Sequence, residues 1–559
     1  MDKRTLLAIV LSLAVLLVYQ MFFATPPKPQ QAPAGAGEAQ QVQKEAAIKP
    51  VTPGVIATAK KTAVKREIAS RDIKVETDLY TAIFSTRGAG LKSFKLKNYQ
   101  KDCTKCTDDI YPLIKNSIFG SKDKPYVKSD EAVELVNVKE GMPFPLAITF
   151  PESSENIAAD SMFEASVVKL NLLGAKEKQR LVFSGVYNGI MKVEKIYTFD
   201  PDHYTIVLDV KIYNLTGTPL IQIPRLSWQQ YVDPQREDDS YGHEGPVVSV
   251  AKSIERQEVK KLDKEIILGP NVLWGGFESK YFIASFIPEN PSLTSVIMNR
   301  DAQNMVSVGI KGQKEVIPAG QSSIVSYSLY LGPKEHGLLK PLNVGLEDSV
   351  DFGSWMKWLA IPFLLILNFL YTFVHNYGLA IILLTTLIKL IFWPLGNLSY
   401  KSMQKMQKIQ PKINELKQKH KNDQAKIGQE TMALYRAHKI NPLSGCLPML
   451  IQLPVFIGLY KTLLYSIELR HAPFFWWIQD LSAKDPYYIT PIVMGLTQFI
   501  QQKMTPPMGD PMQAKLMMFM PVVLTFFFLN FPAGLVIYWL FNNILSIGQQ
   551  FYINRKLAN

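Results

Sequence analysis

Cysteine is scarce, with three in 559 residues. Cys103 and Cys106 form one CxxC and Cys446 stands alone, so the four thiolates of a structural zinc site cannot be assembled. The βαβ surroundings of a redox CxxC are missing too, which leaves a local loop disulfide in an oxidising compartment, or two free thiols. His203, His243 and His336 carry neither triad nor metal-ligand spacing. Asp238, Asp239 and Glu244 near His243 read as a solvated loop. P-loop, HExxH and GxSxG motifs are absent, so hydrolases and ATP-driven pumps draw no support. No catalytic residue, metal or cofactor is expected. A net charge of +13 comes without a nucleic-acid-binding motif. Because the densest lysine cluster lies beside apolar runs, anionic lipid and the positive-inside rule account for it more simply.

What is present divides sharply along the chain. Lys3 and Arg4 precede an apolar run from Leu6 to Phe23, and Phe22 is too large for the −3 position of a cleavage site after Ala24. Residues 1–24 therefore read as an uncleaved signal anchor with a cytoplasmic N-terminus. Residues 25–61, rich in Pro, Ala and Gln, read as a flexible exported tether. In residues 62–350, β-branched and aromatic residues alternate at strand lengths, as in MKVEKIYTF (191–199) and YTIVLDVKIYNL (204–215), which predicts a large antiparallel β-sandwich.

The most informative stretch is Gly378–Ser399, GLAIILLTTLIKLIFWPLGNLS. It is apolar enough to span a bilayer, yet Lys389 lies ~15 Å inside it at ~1.5 Å per residue. A lysine near a span's centre costs roughly 2.5–3.5 kcal/mol on insertion scales. Thr385 and Thr386 precede it on the same helix face. A polar cavity within the membrane is favoured over a lysine snorkelling to the interface.

Ten Lys and Arg residues face only Glu415, Asp423 and Glu430 between Lys401 and Lys439, so this segment is expected in the cytoplasm as a hairpin of two helices (400–440) with its break near His420–Asp423. An exported β domain and a cytoplasmic hairpin require an odd number of crossings between them. Residues 351–376 are accordingly expected to lie along the outer interface as a helix broken at Pro362, leaving residues 377–559 to supply five spans. Six spans in all put both termini in the cytoplasm. The stretch 516–531, sixteen residues long, is ~24 Å of helix against ~30 Å of hydrocarbon, which implies local thinning of the bilayer.

Polar residues recur in these spans: Gln452 alone, Thr497 and Gln501 on one face, and Asn542, Ser546 and Gln549 on another. Interhelical hydrogen bonding competes as an explanation. No carboxylate occurs in the span cores to neutralise Lys389, which favours a hydrated groove receiving negative charge from elsewhere. Met504, Met508 and Met512 crowd the cytoplasmic side, where flexible thioethers suit varied apolar partners.

At NPLSGCLPMLIQLPVFIGLY (441–460) the chain resembles the YidC family of membrane protein insertases, as it does at STRGAG (85–90), DLSAKDPYYITPIVMG (480–495), DPMQAKLMMFMPVV (510–523) and FPAGLVIYW (531–539). The resemblance implies a multi-domain membrane protein: an all-β periplasmic supersandwich, an interfacial helix and an α-helical five-span core around a hydrophilic groove. It implies insertion of nascent inner-membrane proteins, alone or with the Sec translocon, with the ribosome and the lipid bilayer as further partners. It implies no direct nucleic-acid partner and no small-molecule substrate. The groove's basic residue falls on Lys389, where many Gram-negative members have arginine, and its threonine on Thr385. Its aromatic falls on Trp539 beside Tyr538, where tyrosine is common. Lys405, Lys408 and Lys412 of the hairpin, with the methionines, are the expected client-capture surface. Two other classes stay in view, a transporter of small anions acting through Lys389 and a membrane-anchored periplasmic scaffold.

Overall fold

The computed structural model describes residues 70–101, 129–234, 242–353, 355–420, 423–438, 440, 447–505 and 511–558. The expected anchor and tether, Cys103, Cys106, Cys446, Asp238, Asp239 and Met508 lie outside the described residues.

The β region forms as its alternation predicts. Met191–Phe199 buries every second residue, and Thr205–Asn214 and Ser322–Pro333 extend the sheet from it in antiparallel register, with Val210 opposite Lys195 on one side and Val325 on the other. These strands form the middle of a nine-stranded sheet. Two five-stranded sheets and a two-stranded ribbon complete the domain. Among the described strands pairing is antiparallel except between Asp72–Glu76 and Lys169–Asn171, which run parallel. The interior is aromatic: Tyr197 and Phe199 of the large sheet meet Phe84 of a five-stranded sheet, with Phe84 and Tyr197 centroids 4.7 Å apart.

Where the sheets meet, the STRGAG turn has a structural explanation. Gly88 and Ala89 both take positive φ, 71° and 44°, and a Cβ on Gly88 would collide with the Ala159 carbonyl. The turn's carbonyls converge on Lys195, which is fully buried. Its Nζ donates to Gly88 O, Ala89 O and Leu146 O at 3.2, 2.7 and 2.6 Å, while Tyr197 Oη donates to Ala89 O at 2.9 Å. Arg87 Nη2 donates to the carbonyls of Gly141 and Met142. Burial pushes the Lys195 amine well below the usual lysine range, and three carbonyl dipoles oppose that push.

A second buried cluster joins the β domain to the helical region. Glu278, fully buried, accepts from Arg256 Nε at 2.6 Å and Lys334 Nζ at 3.0 Å, and Arg256 Nη2 reaches Ser349 O at 2.9 Å. The hydrophobic core then continues into the helices through Ala360, Leu364 and Ile467.

The principal helices of that region are α1 (Lys357–Val374), α2 (Tyr377–Ile391), α3 (Trp393–Lys419), α4 (Gln424–Ala437), α5 (Leu447–Tyr465), α6 (Ile489–Met504), α7 (Pro511–Phe528) and α8 (Ala533–Ala558). By length and composition α1 can cross a membrane, as can α2 and α3 taken together as one bent span; Ile451–Tyr465 and Met517–Phe528 are shorter apolar helical stretches. The expected break at Pro362 is absent, for α1 runs continuously through it. A proline there removes only one N–H donor, and the buried side chains of Ala360, Phe363, Leu364 and Leu367 hold the turns around it. The break falls instead inside the predicted span. α2 stops at Ile391, and α3 leaves Phe392 at 63° to it. Pro394 cannot donate to the carbonyl four residues back, which interrupts the ladder there. The expected helical hairpin forms from α3 and α4, parting between Lys419 and Gln424. Its core is Met406, Ile409, Ile413 and Ile440, flanked by Leu434 and Tyr435.

Lys195→Met would leave the buried carbonyls of Gly88 and Leu146 without the ammonium and Ala89 O with Tyr197 Oη alone. The full-length protein in detergent should lose about 3 kcal/mol of β-domain stability, read as a lower midpoint in thermal unfolding followed by tryptophan fluorescence. An unchanged midpoint would show that the carbonyls do not need the ammonium.

Candidate functional site

Lys389 sits in the last turn of α2, where a cation complements the helix dipole. The helix starts at a side-chain cap, Asn376 Oδ1 accepting from Leu379 N at 3.0 Å. The lysine is half-buried and faces α8. Its Nζ donates to Ser546 Oγ at 2.6 Å and makes a long contact of 3.5 Å with Asn542 Oδ1. Ser546 Oγ donates in turn to the Asn542 carbonyl at 2.7 Å. Gln452 of α5 donates through Nε2 to Asn542 Oδ1 at 2.9 Å and lies within hydrogen-bonding reach of the Tyr538 hydroxyl. Three helices thus converge on one ammonium through neutral dipoles. Among the described residues no carboxylate forms an ion pair with it.

The other expected groove residues separate into neighbouring roles. Thr385 and Thr386 direct their hydroxyls to the carbonyls of Ile381 and Ile382, at 2.6 and 2.8 Å, rather than to Lys389. Thr497 accepts from Asn543 Nδ2 at 3.3 Å, and Oε1 of Gln501 is buried without a partner among the described residues. Gln549 Nε2 donates to Trp393 O and Asn397 Oδ1, both at 3.1 Å, tying α8 to the start of α3. A Cβ on Gly396 would strike that amide. Tyr538 is buried beside Gln452 and Phe456. Trp539 points to another neighbour: its Nε1 donates to Gln498 Oε1 at 3.1 Å, and its ring packs between Phe456 and Phe528. Sequence patterning does not single out Gln498, Asn543 or Asn397, and the asparagine pair at 542–543 is the signal that could have found the second of them.

In the hairpin, Lys405, Lys408 and Lys412 are exposed along α3. Met504 is half-buried, its carbonyl accepting from Gln550 Nε2 at 2.7 Å, and Met512 lies in the first turn of α7. Gln404 Nε2 donates to Asn554 Oδ1 at 2.6 Å, linking α3 to the end of α8.

At the other end of the bundle, hydrogen bonds order the turns between helices. Asp485 accepts from Trp477 Nε1, Tyr487 N, Thr490 N and Thr490 Oγ1, all at 2.7–3.0 Å, which orders the turn that enters α6. Glu468, just beyond α5, contacts Asn368 of α1 at 3.5 Å, and Tyr377 Oη donates to Asn368 Oδ1 at 3.3 Å. Burial, with Glu335 adding repulsion, pushes the Glu468 carboxyl up to about 7. A carboxyl raised in the folded state favours that state fully below its ordinary 4.5, and the contribution is lost as pH rises through about 7. The wild type should therefore lose stability across this window. Glu468→Gln should flatten that slope in unfolding midpoints measured from pH 4.5 to 8, and an unchanged slope would exclude Glu468 as its source.

Comparison with known proteins covers most of the chain. A family model described as 60Kd inner membrane protein matches residues 369–559, and one described as YidC periplasmic domain matches residues 124–366. A membrane protein insertase YidC of Syntrophus aciditrophicus (strain SB) is 56% identical over 566 residues, covering 100% of both chains. Its namesake in Geotalea daltonii is 41% identical over 564 residues, again covering 100% of both. A crystal structure of an active YidC insertase with its first transmembrane domain resolved is 20% identical, covering 86% of this chain and 92% of the other at a TM-score of 0.36.

Proposed function

The chain belongs to the YidC family of membrane protein insertases, and from that premise we propose that it inserts and folds inner-membrane proteins through the polar groove around Lys389. It is an inner-membrane protein with a periplasmic domain, the β domain. The observation that carries the groove is the lysine itself, held by Ser546 and Asn542 with no carboxylate paired to it among the described residues. Such an ammonium stays receptive to negative charge arriving from outside, and a site of low dielectric strengthens the pull.

In this reading the hairpin and the methionine-bearing ends of α6 and α7 meet a nascent client leaving the ribosome, with or without the Sec translocon beside them. The groove lowers the cost of moving the client's polar tail partway across a thinned bilayer. Burial of the client's apolar segment in lipid then drives its release. No covalent step is involved. α1 lies along the outer surface of the membrane, the bent α2–α3 pair makes one crossing, and α5 to α8 make four more. With the N-terminal anchor that is six, and both termini are cytoplasmic. Anion transport and periplasmic scaffolding draw no support from the relatives.

The purified protein in liposomes, without translocon or ATP, should protect from protease the tail of a small single-span client bearing acidic residues. Lys389→Ala should reduce that protection and Lys389→Glu should reduce it further. Protection no greater than in empty liposomes, across several such clients, would overturn the reading.

A further inference from the structure

An ammonium has three N–H donors, and among the described residues Lys389 directs no more than two of them, one to Ser546 Oγ and one to Asn542 Oδ1. The third has no acceptor among the described residues. The amide of Asn542 is similarly half-used. Lysine can only donate, so the Asn542 atom that faces it is the oxygen. Gln452 approaches that same oxygen and does so through Nε2, at 2.9 Å. Two donors therefore fix the amide's orientation. Its Nδ2 is turned away from Gln452, with no partner among the described residues. Both Lys389 and Asn542 are half-buried, so neither free donor is sealed off.

We propose that Lys389 Nζ and Asn542 Nδ2 form a two-donor seat for one carboxylate of a client's translocated segment, and that Gln452 is the positioning residue that keeps Asn542 turned for it. The seat rests on the insertase reading and adds to it a defined ligand and a second arm. A carboxylate offers two oxygens side by side, and it binds most tightly where each meets its own donor, one of them charged. Lysine alone is a point charge that attracts any anion without fixing its orientation. The amide at 542 supplies the second, directional bond that an isolated ammonium lacks. Ser546 completes the arrangement from the other side. Because its hydroxyl proton goes to the Asn542 carbonyl, its lone pairs face the lysine and hold Nζ in place without neutralising it.

The test compares two clients identical except for aspartate or asparagine at two tail positions. Both are inserted by the full-length protein into vesicles of phosphatidylethanolamine and phosphatidylglycerol. The quantity read is the ratio of protected acidic client to protected neutral client. The wild type should favour the acidic client, and Asn542→Leu should lower the ratio by roughly tenfold, the scale of one hydrogen bond to a charged group. Gln452→Leu, which frees the amide to rotate and adds no charge, should also lower the ratio, by less than Asn542→Leu does. Variants that only loosen the helices would reduce both clients alike, and an unchanged ratio in Asn542→Leu would overturn the seat while leaving the insertase intact. A wild-type ratio of one would overturn it as well. Failure of the wild type to insert either client is a different outcome and counts against the insertase reading itself.

Discussion

A lysine within an apolar helix has three ways to persist: reach water, find a counter-ion, or be surrounded by dipoles. Lys389 is held by the third and is partly open to the first. Much of the helical arrangement serves that end. The 63° bend after Ile391 places the lysine at a helix terminus rather than mid-helix, where the last carbonyls of α2 favour a cation. α8 supplies serine and asparagine one turn apart, and α5 supplies the glutamine that fixes the asparagine. A carboxylate in place of any of these would pair with the lysine and cancel the charge. Neutral partners stabilise the ammonium and leave its field outward.

The requirement extends beyond the first neighbours. α3 must leave α2 sharply and still pack on α8, which it does across Gly396, where the backbone lies against Gln549. Trp539 and Asn543, adjacent in sequence to residues near the lysine, turn to α6 instead and hold it through Gln498 and Thr497. One helix, α8, therefore carries polar contacts on two faces: one toward α2 and α5, the other toward α6. That division explains why its polar residues outnumber those near Lys389.

How much of this could be read from the sequence depends on the range of the interactions concerned. The β domain was legible because alternation is a local signal that repeats along each strand, as in Met191–Phe199. The hairpin was legible because its charge and its two stripes are local too. Lys389, Asn542, Ser546 and Gln452 were recognisable as polar residues out of place, although their convergence depends on how three helices pack, which no single stripe encodes. The continuity of α1 through Pro362 and the break at Phe392 were misplaced for one reason: a proline marks a weakened ladder, while tertiary packing decides whether the helix bends there. Around Pro362 buried apolar side chains hold the turns, whereas beside Pro394 the chain must change direction to meet α8. Thr385 and Trp539 were assigned to the groove by resemblance, and the structure gives their polar atoms to Ile381 and Gln498.

The β domain enters the same physical argument through its anchorage. Its core continues into α1 and Ile467, and the buried Glu278–Arg256–Lys334 cluster fastens the connecting segment through Ser349. Asp485 and the Tyr377–Asn368–Glu468 chain fix the helix ends on that side. On the other side Gln404 meets Asn554, Gln550 meets Met504, and Gln549 meets Trp393 and Asn397, so both α3 and α6 are fastened to α8. The same helix presents Ser546 and Asn542 to Lys389. The contacts that fix α8 therefore also fix the dipoles that hold the ammonium without neutralising it.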